Sequence, residues 1–138
     1  MSEMTQVWER LFVGSHLDAE GLSRSDTDGI TTVVTLCEHK VLRRNNGVNY
    51  IHLAIADASP VSVGRFDAIL DAISENIRWG RVLVHCGEGI SRAPIMVAAY
   101  MHAVGYKNID AALEEVAKLR PIINPSDILL ASVKGHLR

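Results

Sequence analysis

Residues 81–105, "RVLVHCGEGISRAPIMVAAYMHAVG", constrain the fold more than any other part of the chain. They open on a β-branched apolar run, residues 82–85, and close on residues 96–104, apolar on nearly every side. A short apolar run bounded by turn residues reads as a strand buried on both faces. A helix with no polar face is buried as well. The loop "CGEGIS" and the helix start "RAPI" separate the two. A buried strand feeding at once into a buried helix is one half of a wound α/β unit, so further strands must flank it and further helices must cover it.

The rest of the chain supplies them. Apolar, β-branched runs predict strands over residues 11–13, 31–36 and 50–55, beside 82–85. Phe66, Ile69, Leu70, Ile73 and Ile77 share one helical face, and Ile109, Ala112, Leu113, Val116 and Leu119 share another. Ser62 and Asn108 are placed to cap these helices, and Gly80 and Pro121 to end them. Gly105 closes the apolar helix. A last helix is predicted at "NPSD", with Asn124 as cap and Pro125 at the first helical position. The expectation is an α/β fold: a mostly parallel central sheet of four to five strands flanked by helices, with a helical C-terminal third. No repeat or linker divides residues 1–138, which read as a single domain.

Bulk properties narrow the function. The chain has 138 residues, 48% of them hydrophobic, enough for one sizeable core. Fourteen Lys and Arg against 16 Asp and Glu give a net charge of −2, which is not the basic footprint of a nucleic-acid binder. No signal-like or membrane-spanning apolar run is present, so the expectation is a cytoplasmic protein acting away from the membrane. Two cysteines make no disulfide scaffold and lack the spacing of a zinc site; neither metal nor cofactor is expected.

"CGEGIS" joins the carboxyl end of a strand to a helix N-terminus, the crevice where ligands of open α/β sheets bind. Gly87 and Gly89 let the backbone curl into a concave nest of N–H donors, and the following helix adds partial positive charge. A phosphate fits such a nest. It is not a nucleotide-binding phosphate loop, because the Gly-Lys-Ser/Thr ending is absent. Arg92 lies where a planar guanidinium can grip two phosphate oxygens. Cys86 lies at the base of the nest, in a setting that favours thiolate and places it for in-line attack on phosphorus. The plain alternative for a buried cysteine is a small hydrophobe. That reading leaves the strand, both glycines, Arg92 and Pro94 to coincide by chance.

"HCGEGISRA" resembles the His-Cys-x5-Arg signature of the cysteine-dependent protein phosphatases, and the rest of the chain resembles their small dual-specificity branch. "RLFVGSHLDAE", "GITTVVTLCE", "YIHLAIADAS" and "RPIINPSDILL" are similar to that branch's opening strand, second strand, acid-loop strand and closing segment. The resemblance implies Cys86 as nucleophile, Arg92 as phosphate clamp, and Asp57 as the acid that protonates the leaving oxygen and then acts as base. It implies phosphate binding by Gly87, Glu88, Gly89, Ile90, Ser91 and Arg92. His85 would tune the cysteine through hydrogen bonding, and Asn124 would support the site from outside, although helix capping alone accounts for Asn124. Low-molecular-weight tyrosine phosphatases carry their cysteine before the acid, and rhodanese-type domains lack the acid loop.

Two departures matter. Most of the family has Ser or Thr directly after the arginine, where its hydroxyl helps the cysteine sulfur leave; here the residue is Ala93, as in the phosphatases of regenerating liver. Cys37, at the end of the strand expected beside Cys86, matches a cysteine of that same group and is a possible redox partner, or else a small hydrophobe. The loop between Cys86 and Arg92 has no lysine or histidine, unlike phosphoinositide phosphatases, and Glu88 would repel extra anionic charge or turn back to orient Arg92. The expectation is therefore a monomeric phosphatase acting on phosphotyrosine and phosphoserine/phosphothreonine proteins. The alternatives are a phosphatase for a lipid, nucleotide or RNA phosphate, and a low-turnover phospho-binding module.

Overall fold

The computed structural model describes residues 4–23 and 27–137. Five strands form one sheet: β1 (Thr5–Trp8), β2 (Leu11–Gly14), β3 (Ile30–Thr35), β4 (Asn49–His52) and β5 (Arg81–His85). Their order is β1-β2-β5-β3-β4; β1 runs antiparallel to β2 and the other pairings are parallel. The Val82–His85 run is the middle strand, as its unbroken apolar character requires. Register aligns Gly14 and Thr35 on either side of His85, so three strands end level at the base of the loop that follows.

The helices among the described residues are α1 (His16–Gly21), α2 (Val63–Ile77), α3 (Arg92–Ala103), α4 (Ile109–Leu119) and α5 (Asp127–His136). Strand alternation splits the core in two. Val82, Val84 and Cys86 face a large cluster with α2, α3, α4 and α5, whereas Leu83 faces a smaller cluster with Val33, Phe12 and the α1 residue Ala19. Helix α3 is buried without a break from Ala93 to Met101, and Gly105 ends it with φ +115°. Ser62 and Asn108 cap α2 and α4 by accepting from Arg65 N and Ala111 N. No helix among the described residues is long and apolar enough to cross a membrane.

Two expectations need correction, and two elements were not anticipated. The strand expected over 50–55 ends at His52, although Leu53 N and Ile55 N still donate to Thr35 O and Leu36 O (2.9 and 2.8 Å). Helix α5 is capped by Ser126, whose hydroxyl accepts from Leu129 N, and not by Asn124. Pro125 therefore precedes the helix. Strand β1 and helix α1 carry no periodic signal: only Val7 of β1 is buried, and α1 is a six-residue turn held by a capping box between Ser15 and Asp18.

Candidate active site

The loop of residues 86–91 leaves the carboxyl end of β5 and runs into α3. Four consecutive carbonyls of this loop are tied outward. Gly87 O accepts from His16 N (2.9 Å) and Ile90 O from Asn124 N (2.8 Å). Arg120, only 4% exposed, donates from Nε to Gly89 O (2.9 Å) and from Nη2 to Glu88 O (3.2 Å), while its Nη1 reaches Thr5 Oγ1 (2.9 Å). A strand-to-helix loop whose carbonyls are held by neighbouring segments leaves its N–H groups to face inward, the arrangement in which anions bind.

Gly89 is the residue the curl depends on. Its φ is +72°, and an added Cβ would lie 2.6 Å from Gly14 O and 2.7 Å from Arg120 Nη2. Gly87 is not in the left-handed region, and a Cβ there would make an ordinary 3.6 Å contact with Arg92 Nη2. The need for conformational freedom inferred from the sequence at both glycines thus holds at Gly89 alone.

Cys86 is 2% exposed and faces the larger core. His85, fully buried, donates from Nδ1 to Cys86 O (3.2 Å) and accepts at Nε2 from the Thr35 hydroxyl (2.8 Å). Burial pushes its pKa down to about 4, so the ring is neutral near pH 7 and fixes the backbone of the cysteine. Ala93 is wholly buried at the first turn of α3.

Arg92 Nη1 donates to Glu38 Oε1 (2.7 Å) and to Ile55 O (3.1 Å). One edge of the guanidinium is therefore held, and the Nη2 edge lies toward Gly87. The same contact holds the Glu38 carboxyl below its usual range. Glu88 is exposed, and the carboxylate that holds Arg92 is Glu38. Asp57 is brought to the loop by Ser91, whose hydroxyl donates to Asp57 Oδ1 (2.8 Å) and accepts from Ser126 N (3.0 Å). Asn124 contributes through its main chain, its residue being exposed. Cys37 is a free, buried thiol whose Sγ donates to His39 O (3.5 Å) and lies 3.8 Å from His16 Nδ1. Burial raises its pKa.

Sequence reasoning did not find Arg120 or Glu38. Arg120 follows the apolar face of α4 directly and precedes Pro121, a position that reads as a helix end; only the tertiary fold turns it under the loop. Glu38 adjoins Cys37 in "TLCEHK", where a lone surface carboxylate carries no periodic signal.

Residues 11–136 match the family model described as "Dual specificity phosphatase, catalytic domain". The chain belongs to this family. It is 28% identical over 130 residues to dual specificity protein phosphatase 18 of Bos taurus, spanning 92% of this chain and 69% of that one. It is 30% identical over 125 residues to dual specificity protein phosphatase 15 of Rattus norvegicus, spanning 89% of this chain and 52% of the relative. This phosphatase domain therefore spans about half to two thirds of the length of those relatives. The crystal structure of DUSP15 superposes with a TM-score of 0.84 at 27% identity, covering 96% of this chain and 85% of that one.

Proposed function

We propose that the domain hydrolyses phosphomonoesters of phosphotyrosine and phosphoserine/phosphothreonine proteins through a phosphocysteine. The Asp57–Ser91 hydrogen bond carries this reading, because it joins the acid loop to the phosphate loop between Cys86 and Arg92. In the first step the Cys86 thiolate attacks phosphorus, the P–O ester bond breaks, and Asp57 gives its proton to the leaving oxygen. The loop N–H groups and the Nη2 edge of Arg92 stabilise the equatorial oxygens. In the second step water attacks phosphorus, Asp57 takes the proton, and the P–S bond breaks to release phosphate and thiolate.

Ala93 offers no hydroxyl to the departing sulfur, and the Ser91 hydroxyl is engaged with Asp57, so the second step is the slow one. Glu88 at the rim and the net charge of −2 favour phosphoproteins over polyanionic lipids or RNA. Peroxide would convert Cys86 to a sulfenic acid, and the Cys37 thiol would displace water to form a disulfide; peptide mass spectrometry after mild peroxide shows either that bridge or, against this reading, sulfinic acid on Cys86 alone. Phosphotyrosyl and phosphothreonyl peptides, a phosphoinositide and a 5′-triphosphorylated RNA, presented at equal concentration, test the substrate class. Turnover of both peptides above the other two supports it, and a preference for the lipid or RNA overturns it.

A further inference from the structure

His16, Cys37 and His85 come from three separate places in the chain, the start of α1, the bend two residues past β3 and the end of β5. The level ends of β2, β3 and β5 bring them together on the α1 side of the sheet, behind the phosphate loop. One donor atom from each lies within 4.8 Å of the others. With Zn–S about 2.3 Å and Zn–N about 2.05 Å, a tetrahedral zinc ion spaces sulfur from nitrogen by about 3.6 Å and nitrogen from nitrogen by about 3.3 Å. Cys37 Sγ and His16 Nδ1 already stand 3.8 Å apart, so the cluster closes on an ion by side-chain shifts of about an ångström.

A second feature points the same way. The other nitrogen of His16, Nε2, bonds Glu20 Oε2 at 3.0 Å, leaving Nδ1 as the ligand atom toward Cys37. Glu20 is fixed in turn by Leu42 N and Arg43 N, each at 2.8 Å. A carboxylate orienting a histidine whose far nitrogen faces a thiol is the outer shell that zinc-binding histidines use. His16 is about a quarter exposed, with 27% of its side chain accessible, which gives an ion a route in, while Cys37 and His85 are buried.

We propose that His16, Cys37 and His85 form a three-ligand site for zinc or a similar borderline-soft divalent cation, with Glu20 orienting His16 and the fourth position left to solvent. The thiolate and imidazole donor set selects zinc over magnesium or calcium. Binding releases the Cys37 thiol proton to solvent and forms one Zn–S and two Zn–N bonds. His85 gives up either its Thr35 or its Cys86 contact to do so. The ion would pin the ends of three strands under the loop and keep Cys37 from any reaction with Cys86.

The test uses the full chain carrying Cys86→Ser, so that the nucleophile cannot be the ligand. Zinc is titrated in competition with a chromophoric chelator, and cobalt(II) is used as the spectroscopic probe. One equivalent should bind, raise the melting temperature, and give tetrahedral cobalt absorption with a sulfur-to-cobalt charge-transfer band. Adding Cys37→Ser should abolish that band, and Glu20→Gln should weaken zinc about 10- to 100-fold without removing the band. His16→Gln, at a partly exposed position, provides a variant whose fold is not at stake and should also weaken binding. No stoichiometric binding, or a charge-transfer band that survives Cys37→Ser, overturns the proposal.

Discussion

Replacing Arg120 by methionine should cost both stability and the shape of the phosphate loop. Methionine keeps most of the apolar stem packing while removing every donor. The change strips Gly89 O and Glu88 O of their partners and breaks the contact to Thr5 Oγ1. A buried carbonyl left without a partner costs about 1–3 kcal/mol, with Gly89 O buried and Glu88 O only partly so, and the two loop carbonyls together set a loss of roughly 2–6 kcal/mol. That is a large share of a net stability of about 5–15 kcal/mol. At about 3 °C per kcal/mol for a chain of this size, the melting temperature should fall by about 6–18 °C. Thermal melts followed by circular dichroism measure this, and repeating them with saturating tungstate reads the loop itself. The parent should be stabilised by the oxyanion and Arg120→Met much less so, because the carbonyls that fix the nest are no longer held. A variant that melts within about 2 °C of the parent, with the oxyanion effect intact, refutes the idea that Arg120 builds the loop.

Other perturbations separate the roles of the remaining residues. Ser91→Ala removes the hydroxyl that holds Asp57 and should lower kcat/KM about tenfold, with the loss growing as the leaving group becomes more basic; a loss equal for all leaving groups would assign Ser91 to the loop alone. Glu38→Gln frees one edge of Arg92. The pair is exposed on the Glu38 side, so it is worth at most about 1 kcal/mol, and phosphate binding should weaken by no more than about fivefold. Inhibition by inorganic phosphate measures it, and tighter binding would show that Glu38 competes with the anion.

The central strand, the buried helix and the Cys86–Arg92 loop were legible because each rests on local constraint. Val82–His85 is apolar on both faces, α3 has no polar side, and the two are separated by six residues. Ser62 and Asn108 were legible as caps for the same reason. What escaped depends on contacts far apart in sequence. Arg120 meets the loop from 31 residues away, and Glu38 meets Arg92 from 54. Strand β1 is an edge with one buried side chain, and α1 is too short for periodicity. The cap of α5 slipped from Asn124 to Ser126 because both residue types cap well. Tertiary structure decided between them: Asn124 N is drawn to Ile90 O, and Ser126 N to Ser91 Oγ.

The most direct test of the two-step reading is the pre-steady-state hydrolysis of a chromogenic aryl phosphate at high enzyme concentration. The parent should release close to one equivalent of phenol in a burst and then turn over slowly. Ala93→Ser should raise the slow phase by roughly 5- to 30-fold, the effect of about 1–2 kcal/mol from one restored hydrogen bond to the departing sulfur. Linear product formation from the first turnover, with Ala93→Ser no faster than the parent, would contradict a rate limited by phosphocysteine breakdown.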